Sequence, residues 1–128
     1  MACLFAVRDP VHSETLAERV TAARGFWATF RGLMGRRGLT DGEGLWLPGT
    51  KSIHMFFMRF PIDCVFLGPA SEAGARSVVA VRHALAPWRG IVWYVRGAEG
   101  VLELAAGTLQ RTGTAVGDRL LLEPAQAD

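Results

Sequence analysis

From Leu45 onward the sequence is a succession of short apolar runs: LWL, SIHMFFM, IDCVFL, SVVAVR, IVWYV, VLEL and RLLLE. Proline, glycine or charged residues part each run from the next. Runs this short and this regularly broken leave no room for long helices. They predict strands, and strands at this spacing fold into a sandwich or a partly closed barrel. The fold class expected is therefore mainly β: a single-domain β-sandwich or distorted barrel with one or two short helices.

The rest of the chain fits around that expectation. CLFAV is a short apolar run before the turn signal Asp9-Pro10 and predicts a first strand. TLAERV suits a strand or the start of a helix, and alternation of Leu16, Glu18 and Val20 with Ala17 and Arg19 favours a return strand. Phe26, Phe30, Leu33 and Met34 recur at helical spacing, so ARGFWATFRGLMG predicts a helix ending near Gly35. RRGLTDGEG predicts a loop. AAGTLQRTG predicts a small helix ending at Gly113, and Val116-Gly117-Asp118 a turn into the last strand. No repeat or linker divides the chain, and 1–128 is expected to be one domain.

Composition narrows the function classes. A chain of 128 residues that is 50% hydrophobic and 20% charged is a globular domain, not a disordered one. It is more apolar than a small monomer requires, which leaves a homo-oligomer open. Net charge is +2, and the arginines are scattered, with only Arg36 and Arg37 adjacent. A nucleic-acid binder would show a dense basic stripe, so no nucleic acid is expected as a partner. No apolar stretch approaches the roughly 18 residues of a membrane helix, so no membrane partner is expected either. MACLFAVRDP lacks the features of a secretory signal, and the expected location is cytoplasmic. Cys3 and Cys64 show no ligand spacing and are expected to be reduced thiols, with Cys64 a small inert hydrophobe.

The stretch SIHMFFMRFPIDCVFLG carries three polar side chains among apolar ones: His54, Arg59 and Asp63. On a strand, Ile53, Met55 and Phe57 would share one face, and His54, Phe56, Met58 and Phe60 the other. Both faces are apolar, which predicts a central strand covered on both sides. Pro61 would break the ladder between Arg59 and Asp63.

Four blocks in order, RGLMGR, HMFFMRFPIDCVFL, VLELAAGT and VGDRL, resemble the domain-of-unknown-function family one-nine-two. The resemblance runs from about Thr21 to about Glu123, and the family-like core is about 21–123. It implies a small, mainly β domain, a sandwich or distorted barrel with short helices, of the short cytosolic kind. It implies no established reaction, cofactor or catalytic residue.

Two readings of the polar groups follow. His54, Asp63 and Glu103 come from three expected strands and could converge to bind a metal or move a proton, which would make the protein a metal-assisted hydrolase or lyase. Alternatively Asp63 pairs with Arg59 to close the turn at Pro61, and His54 is a hydrogen-bonded core residue. Glu103 could then anchor Arg59 or Arg96 across strands, or point to solvent. Met34, Met55 and Met58 would suit a soft cuprous ion but are expected to be core packing. No nucleophile elbow or phosphate loop is present in the sequence. No metal or cofactor is expected. Aromatic residues and arginine concentrate in APWRGIVWYVRG, and these are the residue types over-used at contact sites. The expected function is a non-catalytic accessory module that binds an unknown small molecule or protein. It would do so near His54, Met58, Arg59 and Asp63, or across Trp88, Arg89, Trp93 and Arg96.

Overall fold

The computed structural model describes residues 4–10, 14–22, 38–55 and 58–124, with side chains described at all of these except 4–6, 8, 54 and 124. The expected helix ending near Gly35, with Met34, lies outside the described residues, as do Cys3, Phe56 and Phe57.

Among the described residues nine strands and one short helix follow in order. They are β1 (Leu4–Asp9), β2 (Glu14–Ala22), β3 (Glu43–Pro48), β4 (Ile53–His54), β5 (Ile62–Ala70), β6 (Ala75–Leu85), β7 (Ile91–Val92), β8 (Gly100–Ala105), α1 (Thr108–Thr112) and β9 (Arg119–Pro124). Seven of the strands form a closed barrel in the order β1-β2-β3-β8-β5-β6-β9, and β9 pairs back onto β1. Neighbours run antiparallel, except that β2 and β3 run parallel. Closure leaves none of the seven as an open edge.

Alternation along the strands sorts the apolar residues into two cores. Val7, Leu16, Val20, Val65, Leu67, Val78, Leu102, Leu104 and Leu120 come from six strands and fill the barrel, together with Leu109 of α1. The second core lies on the other side of the wall. There Leu45, Cys64, Phe66 and Val101 of β3, β5 and β8 meet Ile53, Met55, Met58, Phe60, Val92 and Val95. Those last six belong to a layer built from 49–61 and 86–98, which lies over the wall. Among the described residues its ladder is the two-residue pairing of Ile53 with Val92 and His54 with Ile91.

The layer corrects one expectation. Ile53–His54 of SIHMFFM pairs outside the barrel, and among the described residues of that stretch no others are extended and paired. At Met55 the chain turns. Its carbonyl accepts from Met58 N–H at 3.1 Å and from Trp88 N–H at 2.7 Å, and its own N–H donates to Gly90 O at 2.9 Å. IVWYV behaves alike, with strand pairing confined to Ile91–Val92. A layer lying on one wall needs only one apolar side, and irregular backbone supplies it by aiming Met55, Met58, Phe60 and Val95 inward. Elsewhere the turn chemistry holds. Gly113 takes φ 70 and ends α1, its N–H donating to Leu109 O at 2.9 Å.

Candidate functional site

Asp63 is fully buried near the start of β5, where its register partner is Leu104. Its carboxylate accepts three backbone N–H groups: Ala84 at 2.8 Å on Oδ1, and Gly107 at 3.1 Å and Leu109 at 2.9 Å on Oδ2. It thereby joins β5 to the end of β6 and to the first turn of α1, whose Gly107 N-cap has no side chain to do so. Ala84 holds φ 46, a conformation uncommon outside glycine, and the Asp63 bond pins it there. Arg59 is exposed. The expected Arg59–Asp63 pair is therefore replaced by a carboxylate anchored on backbone N–H groups, which offer it donors that no sequence pattern announces.

Glu103 lies on the opposite side of the same wall. It pairs in register with Cys64 on β5 and Leu45 on β3, both members of the outer core. Residues opposed in a ladder share a face, so Glu103 lies beneath the covering layer while Asp63 lies on the barrel side with Leu104. The structure does not bring these two carboxyl groups together. Glu103 is 4% exposed, and its Oε2 has no hydrogen-bond partner. Burial pushes its carboxyl from 4.5 up to about 8, so at neutral pH it is an uncharged acid. Burial, then Glu103, then Asp63 push the Cys64 thiol well above its ordinary value, with Arg82 opposing. Cys64 is fully buried, so this is an inert thiol in the sense that its thiolate is suppressed. The backbone of His54 lies in β4, and its side chain lies outside the described residues. Among the described residues no three of His, Cys, Asp or Glu are grouped so as to hold a metal ion.

The third arrangement is the outer face of the covering layer. Inward-pointing Val92 forces its neighbour Trp93 outward, where it is 81% exposed. Tyr94 is 65% and Trp88 54% exposed. Arg89, Arg96, Arg59 and Lys51 are exposed on the same layer, whereas Met58 is buried beneath it. Lys51 Nζ stands 6.0 Å from the centroid of the Tyr94 ring, and the Val95 N–H donates to Lys51 O at 2.9 Å. These contacts bring the two segments of the layer side by side. Sequence reasoning passed over Lys51 as a site residue. By alternation its position two before buried Ile53 would have placed it on the covered side, and the irregular path before β4 turns it outward instead.

Trp88 also holds φ 69 without being glycine. The turn that contains it is closed by Gly90 N–H donating to Ala86 O at 2.8 Å. The ring is thus presented from a constrained backbone, not from a free loop tip.

Comparison with known proteins gives a consistent picture. The model of DUF192, described as an uncharacterised ACR family, matches residues 9–122. A UPF0127 protein of Thermococcus sibiricus is 34% identical over 108 residues, which is 80% of this chain and 64% of that relative. This chain thus spans less than two-thirds of that relative's length. A crystallised candidate transcription regulator of Sinorhizobium meliloti 1021 shares the fold with a TM-score of 0.76 at 23% identity, over 95% of this chain and 94% of that one. A protein of unknown function from Novosphingobium aromaticivorans DSM 12444 does so with a TM-score of 0.71 at 23% identity, over 93% and 84%. Among the described residues no helix is long and apolar enough to cross a membrane.

Proposed function

The chain belongs to the uncharacterised family DUF192, and from that premise we propose that it is a non-catalytic binding module whose contact face is the outer side of the covering layer. The observation that carries this reading is the exposure of Trp93 and Tyr94, 81% and 65%, beside Trp88, Arg89 and Arg96. Large rings left in water forgo roughly 25 cal/mol for every Å² they could have buried, so folding gains nothing by placing them there. Exposed aromatic residues together with arginine are the composition of a contact site. The face is built on a layer anchored to the barrel wall through Ile53, Met55, Val92 and Val95, so its rings are presented by packed backbone.

The hydrolase or lyase alternative receives no comparable support, because Asp63 and Glu103 lie on opposite sides of a barrel wall and Asp63 already accepts three backbone N–H groups.

A fragment screen by thermal shift on the parent protein and on Trp93→Ala tests the proposal. Fragments that stabilise the parent should lose about tenfold or more in affinity in the variant, the scale on which truncating an anchor ring acts. Equal binding to both proteins would remove the face from consideration. So would turnover of a phosphoester or carboxylic ester that depends on added metal and vanishes in Glu103→Gln.

A further inference from the structure

Resting on the outer-face reading above, we infer that the occupant of this face is an extended, acidic protein segment that also carries apolar side chains. The argument begins with charge. The two segments that form the covering layer, 49–61 and 86–98, contain Lys51, Arg59, Arg89 and Arg96 and not one Asp or Glu. All four cations are exposed. The whole chain has twelve acidic residues against fourteen basic ones, for a net charge of only +2, so outside these two segments the acidic residues outnumber the basic ones, twelve to ten (14 − 4). The layer is therefore a cationic patch on a nearly balanced molecule, with exposed Glu99 at its edge, its carboxylate 3.8 Å from Arg76 and its carbonyl accepting from Gly49 N–H at 2.7 Å. Such segregation favours a partner of opposite sign, since charge complementarity steers encounter and rejects like-charged surfaces.

Shape narrows the class. Small-molecule sites are concave and bury most of the ligand. Rings that are 81%, 65% and 54% exposed stand on the surface and suit a partner laid across them. The inward side of the same segments is occupied, with Ile53, Met55, Met58, Phe60, Val92 and Val95 packed on the wall. A partner therefore meets rings and cations together. Each ring offers area for an apolar side chain, and each flanking cation offers a carboxylate partner at the rim.

A protein segment is favoured over single-stranded nucleic acid. A strand of nucleic acid needs a run of cations that tracks successive phosphates, with rings interleaved at base spacing. Here the four exposed cations are single residues, 51, 59, 89 and 96, set apart in two segments and not a run. Lys51 is itself engaged with the Tyr94 ring at 6.0 Å, which leaves that ring's edge for apolar contact.

The test is selection of a random linear peptide library, displayed on phage, against the native chain, with affinities of selected peptides measured by fluorescence polarisation. Enriched peptides should be net acidic with interspersed aromatic or aliphatic residues. Their affinity should fall about tenfold or more in Arg89→Glu/Arg96→Glu and, separately, in Trp93→Ala, and should fall as salt is raised. Each variant alters exposed side chains, and its denaturant melt should match the parent. Peptides without acidic bias, or acidic peptides that bind the charge-reversed variant equally well, would overturn the inference. Tighter binding of oligothymidylate than of any selected peptide would overturn it in favour of nucleic acid. If fragments engage the face through Trp93 while the library yields no acidic motif, the partner class falls and the binding-module reading stands. If neither engages the face, both fall.

Discussion

Glu103 is a residue whose chemistry burial displaces far from its solution behaviour. Its carboxyl is raised from 4.5 to about 8 by burial between the barrel wall and the covering layer. The folded protein therefore holds a proton that the unfolded chain has released. Below about pH 4.5 both states are protonated, and the contribution to stability is fully present. As pH rises toward 8 the unfolded state binds fewer protons, so stability falls, by on the order of 4 kcal/mol across the window. Above about 8 both states are ionised and the loss is complete. Glu103→Gln keeps the shape and removes the proton, so its denaturant midpoint should be flatter than the parent's from pH 5 to 8 and higher at pH 8. A parent midpoint that runs parallel to the variant's across that window would show that the carboxyl is already ionised in the fold. The sequence VLEL left Glu103 either paired or in water, because alternation says which side a residue takes but not whether that side is covered. The covering layer decides it, and nothing near Glu103 in sequence announces that layer.

At the scale of elements, Asp63 is a joint. One carboxylate joins the start of β5 to Ala84 at the end of β6 and to Gly107 and Leu109 around the start of α1. Asp63→Ala strands these donors, of which Leu109 N–H is buried and those of Ala84 and Gly107 part-buried, and a fully buried unpaired donor costs about 1–3 kcal/mol. The expected loss is therefore about 3 kcal/mol or more by urea denaturation, with Asp63→Asn losing less because one acceptor oxygen remains. A change within about 0.5 kcal/mol would mean that water replaces the carboxylate at little cost. The partners are 21 to 46 residues away in the chain and are all backbone, so the sequence could name Asp63 but not its role. The strands themselves were more legible. β5, β6, β8 and β9 sit where IDCVFL, SVVAVR, VLEL and RLLLE place them, because turn residues bound each apolar run. β4 and β7 were not, since SIHMFFM and IVWYV are apolar at both parities and period alone cannot separate a strand from an irregular apolar layer.

The whole molecule is a closed barrel with a layer fastened to one side. The barrel interior consumes one side of each strand, and the layer consumes the other side of β3, β5 and β8. The layer's own outer side faces away from the wall, and that is where exposed Trp88, Trp93 and Tyr94 stand. The composition of APWRGIVWYVRG pointed to this segment, and its exposure follows from the inward turn of Val92 and Val95. The joining of Lys51 to it follows from a pairing between segments some forty residues apart, which the sequence does not display. The membership in DUF192 was legible in four ordered blocks, although the family supplies no activity to carry over. The most direct test of the account is amide chemical-shift mapping of the protein titrated with a confirmed fragment or selected peptide. The account predicts shifts concentrated in 86–98 and 49–55, with Trp93 and Tyr94 among the largest. Shifts centred instead on Asp63, Glu103 and the Gly107–Leu109 turn, with the layer unmoved, would contradict it.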